Sequence, residues 1–268
     1  MNKFPLLALP LFLALLTPTL AAADSHAITK ATVEDYEART FTSPKGDKIQ
    51  YRLFIPRNYD PKTKYPLVVF HHGGGGTGDD NLGNLEGPLP FEWASPERQA
   101  HNPSFIVAPQ IPRGGRQETD TPRQEIMRNQ IRTIHQLLDA LEKEFSIDTN
   151  REYITGLSMG GTCTWLSLTE RPDRFAAAAP VCSGYKFIGL ESHALGKQFP
   201  KLPLWIFHGD ADEVVSVDYS REIVQALKDA GGKPNYTEYP GVNHDSWTLA
   251  YRDEKFINWL FAQSIKSK

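Results

Sequence analysis

The chain is poor in sulfur, with two cysteines and three methionines in 268 residues. Two cysteines can build neither a disulfide-stapled framework nor a four-thiolate zinc site. Positive charge is not in excess either: 29 Lys and Arg stand against 32 Asp and Glu, for a formal net charge of −3. The basic residues are scattered, which excludes the footprint of a nucleic-acid-binding protein. Beyond the N-terminus no stretch approaches the roughly 18 apolar residues of a membrane span. Internal repeats, low-complexity linkers and a second core are also missing. What remains is 40% hydrophobic and 23% charged, ordinary for one globular domain.

The first residues read as a targeting signal. Lys3 supplies a positive start, Phe4 to Leu16 is apolar but too short to cross a bilayer, and Ala21-Ala22-Ala23 offers small residues for cleavage. The expectation is a signal peptide over 1–23, a mature domain over 24–268, and a secreted or periplasmic protein without stable membrane association. Export would permit a disulfide between Cys163 and Cys182. Two buried free thiols fit equally well, and both readings stay open.

Short β-branched apolar runs recur along the chain. Pro66–Phe70, Ser104–Ala108, Arg151–Thr155, Phe175–Val181, Leu204–His208 and Tyr236–Tyr239 suit strands buried on both faces of a parallel sheet. Tyr51–Ile55 reads as a further strand, and 24–47 as an irregular arm with an edge strand. Helices are predicted over Arg123–Phe145, Gly161–Thr169, Asp218–Ala230 and Asp245–Ile265. In the first, Ile126, Ile131, Ile134, Leu138, Leu141 and Phe145 form one apolar stripe. Strands alternating with helices predict a mostly parallel α/β sheet flanked by helices. The segment 183–203 is too short for a large cap domain.

Gly156-Leu157-Ser158-Met159-Gly160 falls between a strand and a helix. G-x-S-x-G in that position reads as a nucleophile elbow, a turn so tight that its flanks must be glycine. The pattern alone is weak, since chance produces it in roughly one chain in ten of this length. A serine nucleophile also needs a base and an acid to orient that base. After the strand Leu204–Phe207 comes His208-Gly209-Asp210-Ala211-Asp212, and after the strand at Tyr236 comes Asn243-His244-Asp245. The order Ser, Asp, His predicts Ser158 as nucleophile, His244 as base and Asp212 as acid, with Asp210 as the alternative acid. Gly74, in His71-His72-Gly73-Gly74-Gly75-Gly76, and Met159 are the expected backbone oxyanion donors.

Other readings of these residues fall short. Gly73 to Gly78 matches G-x-G-x-x-G, but Asp79-Asp80-Asn81 is a poor helix start for a dinucleotide site. His71-His72 as a metal pair and Asp210/Asp212/Glu213 as a calcium loop both lack further spaced ligands. No cofactor or metal is called for.

The runs His72 to Gly75, Gly78 to Asn81, Ala108-Pro109-Gln110, Asp148-Thr149 to Arg151, Tyr153 to Gly161, His208-Gly209 to Val214 and His244 to Trp247 resemble the α/β-hydrolase esterases. The resemblance covers nearly the whole expected mature chain. It is strongest toward single-domain secreted esterases labelled predicted peptidases, relatives of the feruloyl-esterase, polyhydroxybutyrate-depolymerase and phospholipase/carboxylesterase families. It implies an α/β-hydrolase fold, a serine carboxylesterase, and Gln110 and Trp247 beside the substrate. Equal alternatives are a loop hydrogen bond for Gln110 and a core position for Trp247. One departure is His71, where an apolar residue is common.

The expected reaction is hydrolysis of a small-molecule or oligosaccharide ester, with feruloyl or acetyl esters of carbohydrates preferred. The alternatives are peptide hydrolysis by the same three residues and a catalytically silent hydrolase fold used for binding.

Overall fold

The structure, a computed structural model, describes Met1 and residues 30–112 and 123–265. The expected signal peptide therefore lies outside the described residues, Met1 apart. Eight strands form one sheet: β1 (Glu37–Thr42), β2 (Lys48–Phe54), β3 (Tyr65–His71), β4 (Phe105–Pro109), β5 (Ile147–Leu157), β6 (Ala177–Val181), β7 (Trp205–Gly209) and β8 (Asn235–Tyr239). Their spatial order is β1-β2-β4-β3-β5-β6-β7-β8. The first two strands run antiparallel, and every pairing from β4 onward is parallel. All seven residues of β3 are buried, as expected of a strand covered on both faces.

Helices α1 (Pro88–Trp93), α2 (Pro96–His101), α3 (Arg123–Glu144), α4 (Met159–Glu170), α5 (Ser192–Gln198), α6 (Asp218–Asp229), α7 (Trp247–Ala250) and α8 (Glu254–Phe261) flank the sheet. They divide the core in two. On one face α3, α4, α5 and α6 pack Ile131, Leu138, Trp165, Leu195 and Ile223 against β-strand residues such as Leu67 and Ile154. On the other, α1 and α8 bring Leu89, Trp93, Phe256 and Leu260 against Val68, Phe70 and Phe207.

Two expectations need correction. The buried stripe of α3 starts at Met127 rather than at half-buried Ile126, then continues through Ile131, Ile134, Leu138 and Leu141. This 4-3-4-3 spacing tracks one helix face more closely than a stripe begun at Ile126. The last helix is two helices. The chain turns at Tyr251–Asp253, and the Asp253 side chain accepts the Lys255 N–H to cap α8 afresh. Between β3 and β4 the chain also forms α1 and α2, each opened by a proline in its first turn.

Parallel pairing from β4 to β8 aligns the C-terminal ends of these strands along one edge. The loops after β3, β5, β6, β7 and β8 therefore open on the same side, where open α/β sheets bind ligands.

Candidate active site

Ser158 sits at the β5–α4 turn with φ 54° and ψ −115°. A non-glycine residue in this region is strained, and surrounding contacts must hold it there. They are present: the Ser158 N–H donates to the Val181 carbonyl of β6 at 3.0 Å. The two glycines of the motif are required by close approach. A Cβ on Gly156 would run into the Gly160 carbonyl, and one on Gly160 into the His71 carbonyl of β3. The turn thus packs backbone to backbone against the neighbouring strand, leaving the Ser158 hydroxyl projecting from the sheet edge.

The His244 ring lies between two partners. Its Nε2 is 2.8 Å from Ser158 Oγ, and its Nδ1 is 2.7 Å from Asp212 Oδ2. A carboxylate only accepts, so Nδ1 carries the hydrogen and Nε2 is free to accept the serine proton. The loops carrying the two residues are tied by Asn243, whose Oδ1 accepts both the Glu213 and the His244 N–H. Trp247 is half-buried, its ring edge-on to His244 at a centroid separation of 5.4 Å.

The Asp212 side chain is fully buried. Its Oδ1 accepts the Val214 and Val215 N–H groups, each at 2.8 Å. Burial opposes the charge, but the hydrogen bonds from His244, Val215 and Val214 outweigh it and hold the carboxyl below its usual range. Asp210, the alternative acid, is exposed and turns away to accept the Gly241 N–H.

Gly74 and Met159 line the same cleft as Ser158. Each opens a helical segment, Gly74 a short 3-10 turn over Gly74–Gly76 and Met159 helix α4. First-turn N–H groups have no carbonyl one turn back to bond, so both are free donors. The Gly74 loop is braced: Glu86 Oε2 accepts the Gly73 N–H, while His72 Nδ1 donates to the Gly73 carbonyl and its Nε2 accepts the Ile111 N–H.

The cleft has a volume of about 230 Å³ and is lined mainly by apolar side chains, among them Met127, Phe187, Ile188, Val214 and Val215. Among the described residues no charged side chain lines it. Phe187 and Val214 are 67% and 64% exposed at its rim.

Gln110 lies elsewhere. It is buried, its Oε1 accepts the Asn81 N–H, and its Nε2 donates to the Gly76 carbonyl and Asp80. Its amide is committed to holding the loop after β3, so the expected place beside the substrate is not where it stands. His71 is buried beneath α4 with Nε2 3.4 Å from Ser167 Oγ. Burial, with His72 and His135 nearby, pushes its pKa down to about 3, so it is neutral. Cys163 and Cys182 are buried free thiols rather than a disulfide. The Cys182 sulfur lies within 4.8 Å of ligand atoms of Asp212 and His244, and burial pushes its pKa up to about 12. Sequence spacing carried no signal for the roles of Glu86, Phe187 or Cys182, because only the folded loops bring them to the site.

Strand order, elbow and loop placement together define an α/β-hydrolase fold. A family model described as "Putative esterase" matches residues 43–250, and the chain belongs to that family. A bifunctional acetylxylan esterase/xylanase of Neocallimastix patriciarum is 28% identical over 81% of this chain, which spans only 29% of that protein's length. A probable feruloyl esterase C of Aspergillus niger is 26% identical, over 74% of this chain and 68% of its own. The crystal structure of a thermostable esterase superposes with a TM-score of 0.71 at 40% identity, covering 87% of this chain and 64% of that one.

Proposed function

We propose that this chain is an exported serine hydrolase that cleaves carboxylic esters through an acyl-enzyme formed on Ser158. The observation that carries the reading is the continuous run of hydrogen bonds from Ser158 Oγ through His244 to Asp212. His244 Nε2 takes the Ser158 proton as Oγ attacks the ester carbonyl, and Asp212 stabilises the imidazolium that forms. The Gly74 and Met159 N–H groups receive the oxyanion. The alkoxide leaves with the proton from His244, and water attacks the acyl-enzyme by the same route to release the acid and restore Ser158.

The mainly apolar lining among the described residues supports a neutral acyl group, with an exposed rim able to accept a bulky alcohol. Named relatives act on feruloyl and acetylxylan esters, and an acylated carbohydrate is the proposed substrate class. The test compares methyl ferulate, p-nitrophenyl acetate and small peptide amides with wild type and Ser158→Ala. Ester turnover that vanishes in the folded variant is expected. Ester turnover persisting in that variant overturns the reading.

A further inference from the structure

His208 is the penultimate residue of β7, with its side chain wholly buried. Its Nε2 lies 3.0 Å from the Val215 carbonyl and 3.2 Å from Asp212 Oδ2, and its Nδ1 lies 2.7 Å from Ser220 Oγ. A carbonyl only accepts, so Nε2 carries the hydrogen and donates it to that oxygen, with the carboxylate in close contact beside it. Nδ1 then accepts the Ser220 hydroxyl from the first turn of α6. Burial lowers the pKa of His208 more than the Val215 carbonyl and Asp212 raise it, so the ring is neutral and adds no charge to the pocket.

Asp212 thus receives three N–H groups, Val214 and Val215 on Oδ1 and His244 on Oδ2, while the Nε2–H edge of His208 stands 3.2 Å from the same Oδ2. The same Nε2–H closes the loop by holding Val215, whose N–H is bound to Asp212 and whose side chain lines the cleft. We infer that His208 is a positioning residue for the acid: it aims Oδ2 at His244 and takes up part of its negative charge, so that the strength of the His244 base is set from β7. This inference rests on the proposed roles of Ser158, His244 and Asp212.

The direction of the effect follows from the shared oxygen. With the His208 donor removed, the carboxylate charge faces His244 more fully and favours its protonated form, while Oδ2 is held less firmly. Turnover should fall, and the acid limb of the pH profile should move to higher pH. The titratable groups that share this surrounding are Cys182 after β6, Asp245 beside His244, and Glu238 of β8. None of these is changed by the substitutions below.

The experiment compares His208→Phe, which keeps the ring volume but has no donor, with His208→Gln, whose side-chain amide nitrogen can replace Nε2. His208→Phe is expected to lose about 10- to 100-fold in kcat, the range of a hydrogen bond to a charged group, with little change in KM. Its acid limb in kcat/KM should shift upward, and His208→Gln should restore most of both. Wild-type kcat in His208→Phe overturns the inference, as does equal loss in both variants with an unmoved acid limb, the signature of a role in packing alone. Should His208→Phe fail to fold, Ser220→Ala takes its place. Freed at Nδ1, the ring should give a smaller loss with the limb displaced the same way, and an unchanged profile counts against the inference. Failure of the underlying reading looks different, because wild type would then hydrolyse esters no faster than Ser158→Ala.

Discussion

Asp210 and Asp212 stand two residues apart on one loop and end in opposite surroundings. The Asp212 side chain is buried under three N–H donors with His208 beside it, while Asp210 is exposed and closes a turn by accepting the Gly241 N–H. An acid that must stay ionised beside a histidine needs the first environment. Asp212→Asn is expected to lower kcat by about 10⁴-fold while Asp210→Asn costs little, since only the former loses the acceptor that fixes the His244 tautomer. Steady-state kinetics on one activated ester decide this, and the reverse ranking would reassign the acid. The choice of Asp212 was legible in the sequence only as the favoured member of a pair. What separates the two is a turn geometry that neither spacing nor composition encodes. For Gln110 the resemblance implied a place beside the substrate, with a loop hydrogen bond as the equal alternative, and its amide bonds to Asn81, Gly76 and Asp80 within the loop.

Among the elements, the elbow and the glycine loop after β3 were the most legible, because each depends on residue types that the backbone itself demands. Gly160 must be glycine where α4 crosses the His71 carbonyl. Gly74 differs, since an added Cβ there meets nothing within 4 Å. Its place in the loop depends on its N–H rather than on its lack of a side chain. This gives a sharp test. Gly74→Ala keeps the donor and should retain activity, whereas Gly74→Pro removes it at a first helical position that accepts proline, and should lose about 10²- to 10³-fold in kcat. Equal activity in the two variants would remove Gly74 from the oxyanion site. Less legible were the short helices α1 and α2, whose six residues each give no periodicity to detect, and the break before α8. That break follows from Asp253 capping a new helix within a stretch whose apolar pattern runs on through it.

Across the described residues the parallel strands deliver five loops to one edge, so a chemistry spread from Gly74 to His244 is assembled there. The core that supports it contains neutral histidines. Burial lowers the pKa of His71 to about 3 and of His135 to about 4, and it lowers those of His72 and His208 as well. Unfolded, each would take up a proton near pH 6.5, while folded it does so only at lower pH. The unfolded chain therefore binds more protons across this window, and stability must fall as pH drops below about 6.5, by up to about 1.4 kcal/mol per histidine per pH unit. Urea unfolding at pH 7.5, 6.5 and 5.5 should show a falling midpoint, and His135→Gln should flatten the fall. A midpoint constant over this range would contradict neutral burial.

The central claim is that Ser158, made nucleophilic by His244, forms the covalent acyl intermediate. Intact-mass and peptide analysis after reaction with a fluorophosphonate tests it most directly. A single adduct on Ser158, appearing in step with the loss of ester hydrolysis and absent from Ser158→Ala, is the predicted result. Hydrolysis that continues with Ser158 fully modified, or a Ser158 that never reacts in an active preparation, would contradict it.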